Sequence, residues 1–82
     1  MMRKQKCPIS DIYVPTKRRK TLNAQVVSDL AESILQQGQQ IPIQVRKDGE
    51  RFVLVEGLHR LEACKALGEA TIDGYLVQAR LH

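Results

Sequence analysis

The clearest periodicity in the chain lies between residues 24 and 37. Val26, Val27, Leu30, Ala31 and Ile34 fall on one face of a helical wheel, and Asp29, Glu32 and Gln36 fall opposite. The pattern predicts an amphipathic helix over 24–37, with Thr21 or Asn23 as its N-cap and Gly38 as its stop. Its expected role is to pack on a sheet. After Gly38 the period shortens to two. Ile41, Ile43 and Val45 alternate with Pro42, Gln44 and Arg46, as in a half-buried strand. Asp48-Gly49 is a tight-turn signal, and Phe52-Val53-Leu54-Val55 is apolar on both faces, as expected of a covered central strand. Residues 41–55 therefore read as a hairpin.

Glu56-Gly57 breaks this strand, and a second helix is expected over 58–67, stopped by Gly68. Leu61, Ala63, Cys64 and Leu67 form its apolar arc, with Arg60 inside that arc in the first turn. A last strand is expected within Thr71–Val77, made irregular by a turn or bulge at Asp73-Gly74. Upstream, Ile9–Val14 has strand-like residues and ends at Pro15, residues 1–8 read as a basic lead-in, and Thr16–Lys20 reads as an exposed loop. The order is β-α-β-β-α-β, a small α+β domain over residues 9–82.

Composition narrows the function. Eighty-two residues hold one small domain, and 43% hydrophobic with 27% charged residues describes a chain that folds. The net charge of +4 is unevenly placed. Residues 1–20 hold seven basic side chains and one acid, whereas residues 21–82 hold six basic and eight acidic ones. The N-terminal fifth thus suits an anionic partner: a phosphate, a nucleotide or a DNA backbone. An aromatic content of 4% leaves few platforms for stacking single-stranded bases.

Two cysteines make no disulfide framework, Cys7 being expected at the surface or a strand edge and Cys64 in the core. His59 and His82 complete no metal-ligand spacing, so no structural metal is expected. Neither a membrane-length apolar run nor a signal-peptide h-region is visible, so the expected compartment is the cytoplasm, without a membrane partner. No G-x-x-x-x-G-K-[ST] motif is present, which excludes a P-loop NTPase.

The segment that carries chemistry is Val55-Glu56-Gly57-Leu58-His59-Arg60-Leu61. A buried strand ends, a glycine permits a tight turn, and a helix starts. Free N–H groups and the dipole at a helix N-terminus favour anions, and a glycine admits close backbone approach. His59 and Arg60 stand where they can donate to phosphate oxygens. Arg60 has two readings: it pairs with a buried acid, or it enters a pocket and binds an anion. Glu56 also has two: it accepts a substrate proton or orients a metal-bound water, or it pairs with Arg60 and stiffens the turn. The second reading of Glu56 is the favoured one.

The chain resembles the N-terminal domain of ParB-type proteins, within the ParB/sulfiredoxin superfamily. The resemblance rests on Val14-Pro15, Arg18-Arg19, Leu30-Ala31-Glu32-Ser33-Ile34 with Gly38, Gln40-Ile41-Pro42-Ile43-Gln44-Val45-Arg46, and Gly57-Leu58-His59-Arg60-Leu61-Glu62-Ala63. It implies a nucleotide site with Gly57, His59 and Arg60 at the phosphates. Residues 38–42, with Gln40 and Pro42, would lie near the base or ribose, and Arg18 or Arg19 would approach from the basic loop. The implied ligand is a nucleoside triphosphate, CTP or ATP, with Mg2+, and DNA and a partner protein are the implied macromolecular partners in plasmid or chromosome partition. Sulfiredoxins carry a catalytic cysteine immediately before the His-Arg pair, where this chain has Leu58, so that reaction is disfavoured. Two alternatives stay open. One is a superfamily enzyme (nucleotide hydrolase, small-molecule kinase or nuclease) with Glu56 as candidate catalytic residue. The other is a DNA- or protein-interaction module without nucleotide. The DNA-reading and dimerisation domains that accompany this unit in partition-type proteins do not fit within 82 residues.

Overall fold

A computed structural model describes residues 3–39 and 41–78. Five strands form one mixed sheet: β1 (Arg3–Pro8), β2 (Ile12–Tyr13), β3 (Ile43–Asp48), β4 (Arg51–Glu56) and β5 (Thr71–Leu76). The helices are α1 (Thr16–Arg19), α2 (Ala24–Gln37) and α3 (Leu58–Ala66), and a 3-10 turn spans Ile9–Asp11. The sheet order is β1-β5-β3-β4-β2. Strands β1/β5 and β3/β4 run antiparallel, whereas β3/β5 and β2/β4 run parallel.

The central elements form where the pattern places them. Asn23 caps α2, its Oδ1 accepting from the amides of Gln25 at 2.9 Å and Val26 at 3.2 Å. Thr21 does not cap α2; its hydroxyl donates to the Arg18 carbonyl at 2.8 Å and closes the α1 turn. The β3–β4 hairpin turns at Gly49–Glu50, tied by Arg51 Nε donating to Asp48 Oδ2 at 3.0 Å. Ile43 and Val45 are fully buried in β3, and Phe52 and Leu54 face the same core from β4.

The structure departs from the expected pattern in several places. Residues 3–8, expected as a lead-in, form the edge strand β1; a row of charged side chains on an edge is a known guard against unwanted strand pairing. Cys7, expected at the surface or a strand edge, does lie on the edge strand, but its thiol is fully buried rather than at the surface. Ile9–Val14 is not one strand: a 3-10 turn precedes a two-residue β2. Thr16–Arg19 closes a single helical turn rather than an open loop. The expected irregularity at Asp73-Gly74 is absent, and the register shift lies instead at Gln44/Val45. Gly74 serves packing: a Cβ there would stand 3.2 Å from Cys7 Sγ and 3.3 Å from Ile43 Cγ1.

Helix α2 does not lie flat on the sheet. It packs principally against α3 and reaches the core through Ile34, and none of its residues is buried. Leu35 and Val26 stay exposed. This stand-off leaves a groove between α2, the start of α3 and the end of β4.

Candidate functional site

The site grows from Gly57. Strand β4 must turn into α3 within one residue, and Gly57 does so at φ 107°, ψ 32°, on the side of backbone space that glycine favours. A Cβ on Gly57 would also lie 2.6 Å from Ile43 Cγ2. The glycine is thus demanded from behind by the core, independently of any ligand in front. No side chain caps α3, so its first-turn N–H groups meet the groove with only the helix dipole to set their preference, which is for an anion.

Arg18, Glu56, Gly57, His59 and Arg60 line one cavity of about 310 Å3. Arg60 and Leu30 also line a second compartment of about 110 Å3, bounded by Ser33, Ile34 and the Gly38-Gln39 turn, so the two form one groove. Arg60 lines both compartments rather than meeting a buried acid. Among the described residues no acid is paired with it. Glu56 instead meets Arg18, Oε1 to Nη1 at 3.6 Å, across the mouth of the larger cavity. The favoured Glu56–Arg60 pair does not form, because Arg60 turns inward under α2 while the Glu56 side chain remains largely exposed.

His59 does something that spacing did not reveal. Its Nε2 accepts the Asn23 amide at 3.0 Å, tying the start of α2 to the first turn of α3. That bond leaves Nδ1 as the ring nitrogen that carries the proton. Arg19 points away from the groove, toward Leu22, Leu58, Glu62 and Lys65. Pro42 lines neither compartment, and Gln40 lies outside the described residues. Thr21 and Leu30 also line the groove, and neither stood out in the sequence as more than a cap and a core residue. Leu58 is buried in the core, so no nucleophile stands immediately before the His59-Arg60 pair. Among the described residues, no group of three His, Cys, Asp or Glu side chains could hold a metal ion. No described helix is long and apolar enough to cross a membrane.

An α+β sheet with this strand–glycine–helix turn defines a domain of the ParB/sulfiredoxin class. The profile of the ParB N-terminal domain matches residues 2–81, and the chain belongs to that family. It is 37% identical over 62 residues to a probable chromosome-partitioning protein ParB of Campylobacter jejuni, a match covering 76% of this chain and 22% of that one. The chain thus spans about a fifth of that relative's length. Sulfiredoxin from Arabidopsis thaliana superposes with a TM-score of 0.84 at 30% identity, over 94% of this chain and 86% of that one. The C-terminally truncated ParB of Caulobacter crescentus, complexed with CTP-gamma-S, superposes with a TM-score of 0.82 at 24% identity, over 95% and 46% of the two chains.

Proposed function

We propose that this domain is a nucleotide-binding, DNA-associated module that holds the phosphates of a nucleoside triphosphate at the start of α3. The observation that carries the reading is the convergence of Arg18 and Arg60 on the uncapped α3 N-terminus, within a cavity of about 310 Å3. That volume is at the small end of ligand sites, and the adjoining compartment extends it. Arg60, paired with no acid among the described residues, offers a bidentate guanidinium fork to phosphate oxygens. Arg18 offers a second cation once the ligand's charge competes with Glu56. The Caulobacter relative in complex with CTP-gamma-S makes CTP the first nucleotide to try. Mg2+ would arrive on the phosphates, with Glu56 as the carboxylate lining the cavity.

His59 supports the site by orientation, since its Nε2 is engaged by Asn23 and its Nδ1–H remains available to donate. Lys17, Arg19 and Lys20 are exposed and suit a nucleic-acid backbone, which would give salt-sensitive, sequence-independent binding. Calorimetric titration with CTP, ATP and ADP, with and without Mg2+, tests the reading. A folded sample that takes up none of them at millimolar concentration refutes it. Turnover of labelled nucleotide, lost in Glu56→Gln, would move the assignment to an enzyme.

A further inference from the structure

We infer that Gln39 is a positioning residue for the nucleoside end of the groove, its side-chain amide standing in for a missing peptide unit of β3. Strand β3 pairs in parallel with β5 from Ile43 opposite Gly74 onward. Asp73, one residue earlier in β5, pairs with Lys6 of β1 on its outer side but has no β3 residue on its inner side. Gln39 fills that place. The Asp73 amide donates to Gln39 Oε1 at 2.9 Å, and Gln39 Nε2 donates to the Asp73 carbonyl at 3.0 Å. The same Nε2 donates to the Ile41 carbonyl at 3.3 Å. Two donors and one acceptor are therefore used, a combination that only a carboxamide supplies. Without it the part-buried Asp73 N–H and C=O would lose their partner.

The consequence falls on the groove. Of the two compartments, Gly38, Gln39 and Ile41 wall only the smaller, Arg18, Glu56 and Gly57 line only the larger, and Arg60 stands between them and lines both. Strapping the turn after Gly38 to β5 therefore fixes the wall against which a sugar or base would rest, and leaves Arg18 and the α3 N-terminus untouched. This rests on the nucleotide reading above.

The test compares CTP with inorganic tripolyphosphate on the wild-type chain, Gln39→Glu and Gln39→Ala by calorimetry. It adds amide exchange at Asp73 in the ligand-free proteins. The glutamate variant is nearly isosteric but removes both donors. The expected result is a loss of CTP affinity of about five- to tenfold, unchanged tripolyphosphate affinity, and faster exchange at Asp73. Equal losses for the two ligands, unchanged CTP affinity, or unchanged Asp73 exchange would overturn the inference. A wild-type chain that takes up tripolyphosphate but not CTP overturns it while leaving the phosphate site standing. Silence toward both ligands overturns the nucleotide reading itself, and this inference with it.

Discussion

Replacing Gly57 by alanine probes the joint on which the site turns. Two penalties add. At φ 107° an L-residue sits on the wrong side of backbone space, at about 1–2 kcal/mol. The new methyl would also meet Ile43 Cγ2 at 2.6 Å and Ile43 Cα at 3.2 Å. Ile43 is fully buried and held in the central strand, so it cannot step aside, and overpacking of this kind costs about 1–3 kcal/mol. The sum, about 2–5 kcal/mol, is a large share of the roughly 4–12 kcal/mol expected for a domain of 82 residues. Gly68→Ala is the internal reference, since its φ of 77° carries the backbone penalty but nothing lies within 4 Å of its Cβ position. Urea unfolding of the two variants isolates the steric part as their difference. If Gly57→Ala proves no worse than Gly68→Ala, the close approach of Ile43 is not what demands a glycine here.

Arg60→Ala is expected to weaken nucleotide binding by at least about tenfold in calorimetry, with Arg60→Lys restoring only part, because a point charge replaces a bidentate fork. Glu56→Gln should shift stability by less than about 1 kcal/mol, its pair with Arg18 being solvent-exposed, yet raise phosphate affinity by removing a like charge; an unchanged titration would contradict it. Asn23→Ala removes the acceptor for two α2 amides and should lower stability by about 1 kcal/mol in chemical unfolding. Burial pushes the thiols of Cys7 and Cys64 up from their ordinary value. The unfolded chain therefore releases these protons first, and the thiols' contribution to stability is whole below about pH 8.5 and shrinks above it. Both should also react slowly with a thiol reagent at pH 8 until urea is added; rapid labelling of the native protein would count against their burial.

The elements with strong periodicity were legible. The β3–β4 hairpin, α3 and β5 each bury an apolar set at a fixed spacing or turn at a glycine, and α2 shows an amphipathic period between an Asn23 cap and a Gly38 stop, so those signals are local. The N-terminal third was not. Strand β1 buries only Cys7 among Arg3–Pro8 and borrows its order from backbone pairing with β5, which leaves no trace in side-chain pattern. Helix α1 is four residues long and below the length at which propensity is informative. At the site, Gly57, His59 and Arg60 were readable because strand, turn and helix start are consecutive. The Arg18–Glu56 pair, the His59–Asn23 bond and the Gln39–Asp73 strap join residues 34 to 38 positions apart, and only the tertiary placement of α1 and α2 brings them together.

The way α2 rests on the molecule has a thermal consequence. Helix α2 has no buried residue: it rests on α3 along its flank, and is tethered near its start by His59 and beyond its end by the Gln39 strap. Such a segment belongs to the low-stability end of a protein's local openings, well below the sheet. Warming should therefore dissolve the roof of the groove before the strands part, so ligand uptake fails at a lower temperature than the β-sheet signal does. Native-state hydrogen exchange would register this as α2 amides opening ahead of those in β3 and β4, and a single shared opening energy would show that the domain melts as one unit.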